Sequence, residues 1–282
     1  MLMLLHPVAQ VGAGLSIHAS TVVGSLALGA LYEWRARQAS VSTVDGAHPG
    51  SPTTAQRAMF FGALAVLLAT LNGPLHDLSD TYLFSAHMVQ HLVLELVVPP
   101  LLVAGTPGWM LRPLLRPRRV RRLAEVALTP VSCFAIFNVV LAAWHLPPLY
   151  NLALAQHPVH IFQHLMFLSA SVVMWWPLLS PLPELPRLSY PGQMLYCFLM
   201  TLPMSVVAVY ITMADRVLYP LYAIAPRVVG ISPLEDQRYG GLVMWIPGGM
   251  FFYLVMTAVF WKWSRTGDEP EAAQVAVRVR TA

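Results

Sequence analysis

The sequence predicts an all-α integral membrane protein, a seven-transmembrane-helix bundle folded as one domain. Three observations predict it. Hydrophobic residues fill 57% of the 282 positions and charged ones only 11%. Apolar stretches recur that reach the roughly 20 residues a helix needs to cross the hydrocarbon core. The basic residues gather in alternate connections. Because lipid offers no partner to backbone N–H and C=O groups, such spans must close their own hydrogen bonds as helices.

The expected spans follow one another along the chain. The first, 14–32, precedes a connection carrying Arg35, Arg37 and Arg57, and the second, 55–72, runs into NGPLHDLSDTY. The third, 82–104, contains SAHMVQHLVLE. The fourth, 124–144, follows the basic run RPLLRPRRVRR and ends at WHLPPLY, where Pro147 and Pro148 break the helix. The fifth is 157–179, the sixth 191–213 and the seventh 239–262. Together they make residues 1–263 one transmembrane domain, followed by a polar cytoplasmic tail, 264–282.

Placing the first, third and fifth connections and the tail in the cytoplasm collects 14 of the 17 basic residues there, leaving only Arg216, Arg227 and Arg238 outside. The N-terminus is therefore expected outside and the C-terminus inside. The opening MLMLLHPVAQVG lacks the charged start of a secretory signal and is expected to be retained as a short outer segment. The basic run does not signal nucleic acid, because this topology faces it toward the anionic lipid of the bilayer. Cys133 and Cys197 fall within helices, with no CxxC spacing to suggest a disulfide framework or a thiolate metal site. The inner loop ASVSTVDGAHPGSPTTAQ is polar and expected to be mobile. The outer connections, rich in prolines, aromatics and acids, are expected to fold over the mouth of the bundle, with Asp and Ser of GPLHDLSD and SPLEDQ acting as helix caps.

Nine of the ten histidines fall on the outer side in this topology; only His48 is cytoplasmic. His87 with His91, and His160 with His164, are four apart, a spacing that puts two imidazoles on one helical face with Cβ atoms about 5–6 Å apart. If the third and fifth helices face each other, the two pairs assemble a four-histidine cage. His145 joins it at the mouth. Neutral imidazole suits copper, zinc, iron or nickel, and thioether favours Cu(I), so Met88, Met166 and Met213 are candidates beside their commoner role as packing filler. Glu95 lies one turn further along the stripe of His87 and His91; an intramembrane carboxyl is a functional candidate as a ligand, an acceptor orienting an imidazole, or a proton carrier. Its structural alternative is a protonated carboxyl paired with Asn138 or a backbone carbonyl. Asp215 is a further candidate carboxylate, with Arg216 as its bland partner. His6, His18 and His76 read as a relay collecting metal or as interfacial polar residues, and His157, before Pro158, as a helix-start residue.

HMVQHLVLELVVPPLLVAGTP (87–107), WHLPPLYNLAL (144–154), HPVHIFQHLMFLSASVVMWWP (157–177) and LEDQRYGGLVMWIPGG (234–249), in this order, resemble the multi-pass CtaG family of cytochrome c oxidase assembly factors, associated with caa3-type oxidases. The resemblance runs from about Phe61 to Trp263. It implies a non-enzymatic, multi-pass bacterial plasma-membrane protein that helps mature the copper centres of haem-copper oxidase, with oxidase subunits and a periplasmic copper donor as partners. It carries over His87, Gln90, His91, His145, His160, His164 and the LEDQ segment as members of matching motifs. Copper is the expected metal. The alternatives are a haem-binding redox or haem-handling protein, since histidines on facing helices ligate haem iron, and a copper or proton transporter, for which polar or sulfur groups are sparse below Glu95 and Asn138. A di-iron oxygenase shares the HxxxH spacing, but its histidine boxes belong on the cytoplasmic side.

Overall fold

A computed structural model of the protein describes residues 17–41 and 50–266. His6, His48, the expected outer segment, most of the inner loop and the tail beyond residue 266 lie outside the described residues. All regular structure among the described residues is helical: α1 (Ala19–Val41), α2 (Thr54–Thr70), α3 (Pro74–Tyr82), α4 (Phe84–Gly105), α5 (Arg118–Ala127), α6 (Pro130–His145), α7 (Pro147–Ala155), α8 (His157–Leu179), α9 (Tyr190–Thr212), α10 (Pro220–Ile224) and α11 (Pro233–Thr266), with short helical turns at Gly108–Leu111 and Arg112–Leu115 between α4 and α5.

Helices α4, α8, α9 and α11 are long and apolar enough to cross a bilayer; the bent pairs α2–α3 (46°) and α5–α6 (78°) bring the number to six if each is one span. The first expected span corresponds to α1, which starts and ends later than 14–32 and is not among the six. Ser20, Thr21, Ser25, Glu33 and Arg35 dilute its apolar stretch. The fourth expected span contains a break. Its helix α6 begins at Pro130, which lacks an N–H, and Thr129 caps the new helix by accepting from the Ser132 N–H at 3.3 Å. The preceding α5 turns away with its arginines and its Leu123 and Val126 all exposed.

The surface is inverted relative to a water-soluble bundle. Val139, Leu165, Leu195, Val206 and Leu254 are each more than half exposed, whereas His87, Gln90, Glu95, Gln163 and Asp236 are almost wholly buried. Apolar groups face outward where lipid is the solvent, and polar groups turn to the bundle interior.

Helix α4 is the hub, packing against α2, α8 and α11. Its middle is a π-helical turn, Val93–Val97, which is followed by Pro99 and Pro100. Pro99 has no N–H to give the Glu95 carbonyl, and Trp175 of α8 supplies the replacement, its Nε1–H donating to that oxygen at 2.9 Å. The start of α4 is fixed from a distance. Asp236 of α11 accepts from the Phe84 N–H at 2.7 Å with one carboxyl oxygen, and from the Ser85 N–H (3.2 Å) and hydroxyl (2.5 Å) with the other. Its neighbour Gln237 accepts from the Leu218 N–H at 2.7 Å and donates to the Ile211 and Arg216 carbonyls, tying down the connection after α9. Such close approach needs Gly240, where a Cβ would collide with the Phe84 ring. The expected SPLE cap does form: Ser232 and Glu235 exchange backbone and side-chain hydrogen bonds at the start of α11.

Replacing Asp236 with alanine strands two N–H groups at the start of α4. Each such buried donor costs about 1–3 kcal/mol. The variant is expected to melt well below wild type in a thermal unfolding scan in detergent, while Asp236→Asn, which keeps acceptor oxygen, recovers part of the loss.

Candidate metal centre

The histidine pairs of α4 and α8 meet. The His87 and His91 rings lie with centroids 4.3 Å apart, those of His160 and His164 4.3 Å apart, and across the helices His87–His160 is 5.5 Å, His87–His164 6.1 Å and His91–His164 5.7 Å. His145, at the end of α6, stands 5.9 Å from His91, and Phe167 packs 4.6 Å from the same ring. His91 and His145 are 3% exposed and His87 is fully buried.

Hydrogen bonds fix which nitrogens carry protons. His87 Nδ1 lies 3.2 Å from the Ser79 carbonyl, which can only accept, so Nδ1 bears the hydrogen and the lone pair is on Nε2. The Tyr222 hydroxyl donates to the same carbonyl at 2.7 Å and stands 3.0 Å from Nδ1, reinforcing that tautomer. His87 Nε2 is then 2.8 Å from His91 Nε2, a contact that holds one proton between two nitrogens. His145 Nδ1 donates to the Leu141 carbonyl at 2.7 Å, which leaves its Nε2 as the lone-pair atom.

The second strand of the site is α3. Gly73, at φ 74° and ψ −155°, takes a conformation open to glycine and turns the chain from α2 into it. That turn brings in His76, Ser79 and Asp80. Asp80 Oδ2 lies 3.3 Å from His76 Nε2 and 3.3 Å from His160 Nδ1, with the carboxylate side chain only 6% exposed. Gln90, between the two histidines of α4, binds the whole corner. It donates to the Thr70 carbonyl at 2.8 Å, contacts His76 Nδ1 at 3.0 Å and accepts from the Ser79 hydroxyl at 2.9 Å. With Gln90 donating to Nδ1, His76 carries its hydrogen on Nε2, toward Asp80. His18 continues the series toward the surface, its ring 4.2 Å from His76 and 5.9 Å from His157. Asn72 holds that end of α1 by accepting from the His18 N–H at 2.7 Å.

Aromatic residues from α7 and α10 close over the cluster. Tyr150 and Tyr222 place their hydroxyls 3.3 Å apart, Tyr219 donates to the His145 carbonyl at 2.9 Å, and Phe84 stacks on Tyr219 with centroids 4.7 Å apart. Asn151 of α7 donates to the Leu218 carbonyl, joining the two connections.

Two groups of three residues place their ligand-capable atoms within 4.8 Å of one another: His87, His91 and His164, and Asp80, His87 and His160. The donor set fits a cation. His91 Nδ1, His145 Nε2 and His164 Nε2 are buried with no hydrogen-bond partner, a deficit that a bound ion would repair. Of the other residues singled out in the sequence, Glu95 is buried in the π-turn with Oε1 unpartnered. The alternative pairing with Asn138 is not seen: the Asn138 amide donates to the Phe134 carbonyl at 2.8 Å and contacts Met200 Sδ. Met88 belongs to the apolar core beside Phe84, and Met166 accepts from the Trp144 indole N–H at 3.4 Å. Met213 and Asp215 are exposed after the end of α9 and belong to neither group.

Sequence reasoning missed Asp80, Ser79 and Tyr222. Asp80 was readable, being four residues after His76 in HDLSD, the spacing already used for the histidine pairs; the cap role expected of it obscured that. Tyr222 had no such signal, because its place over His87 depends on how two connections cross.

A buried polar interior of this kind, imidazoles beside a carboxylate and walled by aromatics, marks a helical membrane protein with candidate cation-ligating groups inside its bundle. The chain belongs to the family of cytochrome c oxidase caa3 assembly factors (Caa3_CtaG), whose model matches residues 28–266. It is 25% identical over 199 residues to the uncharacterised protein Mb0105 of Mycobacterium bovis and to MT0111 of Mycobacterium tuberculosis, and 25% over 201 residues to ML1998 of Mycobacterium leprae. In each case the match covers 65% of this chain and spans about 30% of the relative's length. No solved structure matches the chain.

Gln90→Leu preserves size but leaves the Thr70 carbonyl and His76 Nδ1 without their partner, at about 1–3 kcal/mol for each group that water does not reach, while the Ser79 hydroxyl keeps the His76 carbonyl as acceptor. The expected outcome is a lowered melting temperature together with loss of the His76 ring's fixed tautomer, read from its imidazole nitrogen shifts by NMR.

Proposed function

We propose that this chain is a copper-binding assembly factor of the bacterial plasma membrane, which holds copper as cargo at the cluster of His87, His91, His160, His164 and His145 and serves maturation of a copper centre in cytochrome c oxidase. The observation that carries the reading is the convergence of His87, His91 and His164 ligand atoms within 4.8 Å in a buried setting, in a member of an oxidase assembly family. Imidazoles kept neutral supply nitrogen donors without charge, a set suited to copper. The basic-residue bias favours the outer face for this end of the bundle, where a periplasmic donor would reach it. The role is one of binding and transfer, with no catalytic step. Glu95 is held as a member of the same polar interior, as an acceptor or proton carrier.

The residues of this chain contribute in distinct ways. Ser79 and Tyr222 hold His87 with Nε2 available. Gln90 and Asp80 orient His76. Tyr150, Tyr219 and Phe84 limit access of water from the α7–α10 side. A haem reading asks for two imidazoles on opposite faces of a macrocycle, whereas His87 and His91 sit on one helical face with their Nε2 atoms 2.8 Å apart.

Protein purified without chelator is expected to contain copper by elemental analysis and to show no Soret band. The double variant His87→Ala/His91→Ala is expected to lose high-affinity copper binding, with a drop of at least about 100-fold, while eluting as the same folded species. A double variant that titrates with copper as wild type does refutes the site, and a Soret band in the wild-type preparation favours haem.

A further inference from the structure

Asp80 enters the cluster from α3, and its two neighbours give it a role that the all-imidazole group does not need. The two ligand groups, His87–His91–His164 and Asp80–His87–His160, overlap at His87. His87 Nδ1 is committed as a donor to the Ser79 carbonyl and the Tyr222 hydroxyl, which leaves one lone pair, on Nε2. One neutral imidazole lone pair serves one cation. The two groups therefore cannot each hold an ion through His87 at the same time; they are alternative positions for a single ion.

We propose that Asp80, His87 and His160 form a second, carboxylate-bearing metal position at the rim of the cluster, from which one cation passes to the His87–His91–His164 position. This rests on the reading that the cluster binds a metal. In the transfer His87 stays bound, Asp80 and His160 leave the ion, and His91 and His164 replace them. The step exchanges donor atoms at one cation and moves no electrons.

The chemistry of the two positions differs in a direction that suits this order. The rim has an anionic oxygen donor, which attracts any approaching cation and suits a divalent ion such as Zn2+. The deeper position has imidazoles alone, a neutral donor set that serves copper and, lacking an anionic donor, gives less advantage to a divalent ion. The displacement is short, because the His160 and His164 rings are 4.3 Å apart on adjacent turns of α8. The rim also communicates with the surface: Asp80 Oδ2 is 3.3 Å from His76 Nε2, His76 is 4.2 Å from His18 between ring centroids, and His18 and His157 are both partly exposed.

The test uses the purified full-length chain in detergent, Cu(I) in competition with a chromophoric chelator, and Zn2+ by equilibrium dialysis. Wild type is expected to hold one ion of either kind per chain, never both. Asp80→Asn is expected to weaken Zn2+ binding about 10–100-fold and to slow Cu(I) uptake, while Cu(I) affinity at equilibrium moves less than about threefold. Asp80→Glu restores Zn2+ binding in part. The double variant His91→Gln/His164→Gln, which leaves the rim intact, keeps Zn2+ binding near wild type and loses Cu(I) affinity about 10–100-fold; this arm stands if Asp80→Asn fails to fold. Simultaneous binding of two ions, Zn2+ affinity indifferent to Asp80→Asn, or loss of Zn2+ in the double variant overturns the rim position. Wild type that takes up neither ion overturns instead the metal-binding reading beneath it.

Discussion

The contact between His87 Nε2 and His91 Nε2, 2.8 Å, is the constraint around which the site is arranged. Two nitrogens at that distance share one proton; two N–H groups would repel, and two imidazolium ions in a dry interior would be far costlier. The pair therefore exists only if something else settles which ring carries which hydrogen. Ser79 from α3 and Tyr222 from α10 settle it for His87. Neither residue is on α4, so the tautomer of one imidazole depends on three segments that meet only in the folded bundle.

The same dependence runs through the backbone. Lipid supplies no hydrogen bonds, so every interruption of a helix must be answered by another part of the protein. Pro99 frees the Glu95 carbonyl, and Trp175 of α8 answers it. The N–H groups that open α4 are answered by Asp236 of α11. These two bonds grip α4 on either side of the histidine pair, one to the helix that carries His160 and His164. They set the rotation and depth at which the two pairs face each other.

Local patterns made much of this legible. The helical class followed from composition, and the two histidine pairs from a spacing of four that needs no tertiary information. What local pattern lacks is the identity of neighbours. Nothing in the chain says that α4 packs on α8, and the adjacency on which the four-ring cluster depends comes only from the fold. The break before α6 is hidden in the sequence because apolar residues of α5 extend the hydrophobic run; Pro130 and Thr129 place it. Asp80 and Asp236 both read as local caps, and both act across the bundle: one faces two imidazoles, the other caps a helix 151 or more residues away in sequence. A short polar side chain near a helix start has a local explanation ready, and that explanation is wrong when the residue is buried.

The position of the cluster poses an electrostatic problem that these two carboxylates help to resolve. His87 lies in the first turns of α4 and His160 in the first turn of α8, where unpaired N–H groups give a helix end partial positive charge, equivalent to roughly half an elementary charge. That is a poor place for a cation. Asp236 takes up the N–H groups of Phe84 and Ser85, placing an acidic group directly on the α4 terminus. The α8 start has no side-chain cap, and the carboxylate nearest it is Asp80, 3.3 Å from His160 Nδ1. With one acid set against each helix end, the positive end charges are offset, and a cation beside these imidazoles meets less repulsion. Asp80 offsets the α8 end without touching every imidazole of the cluster, and the corner built by Gln90, Ser79 and His76 holds it at that place.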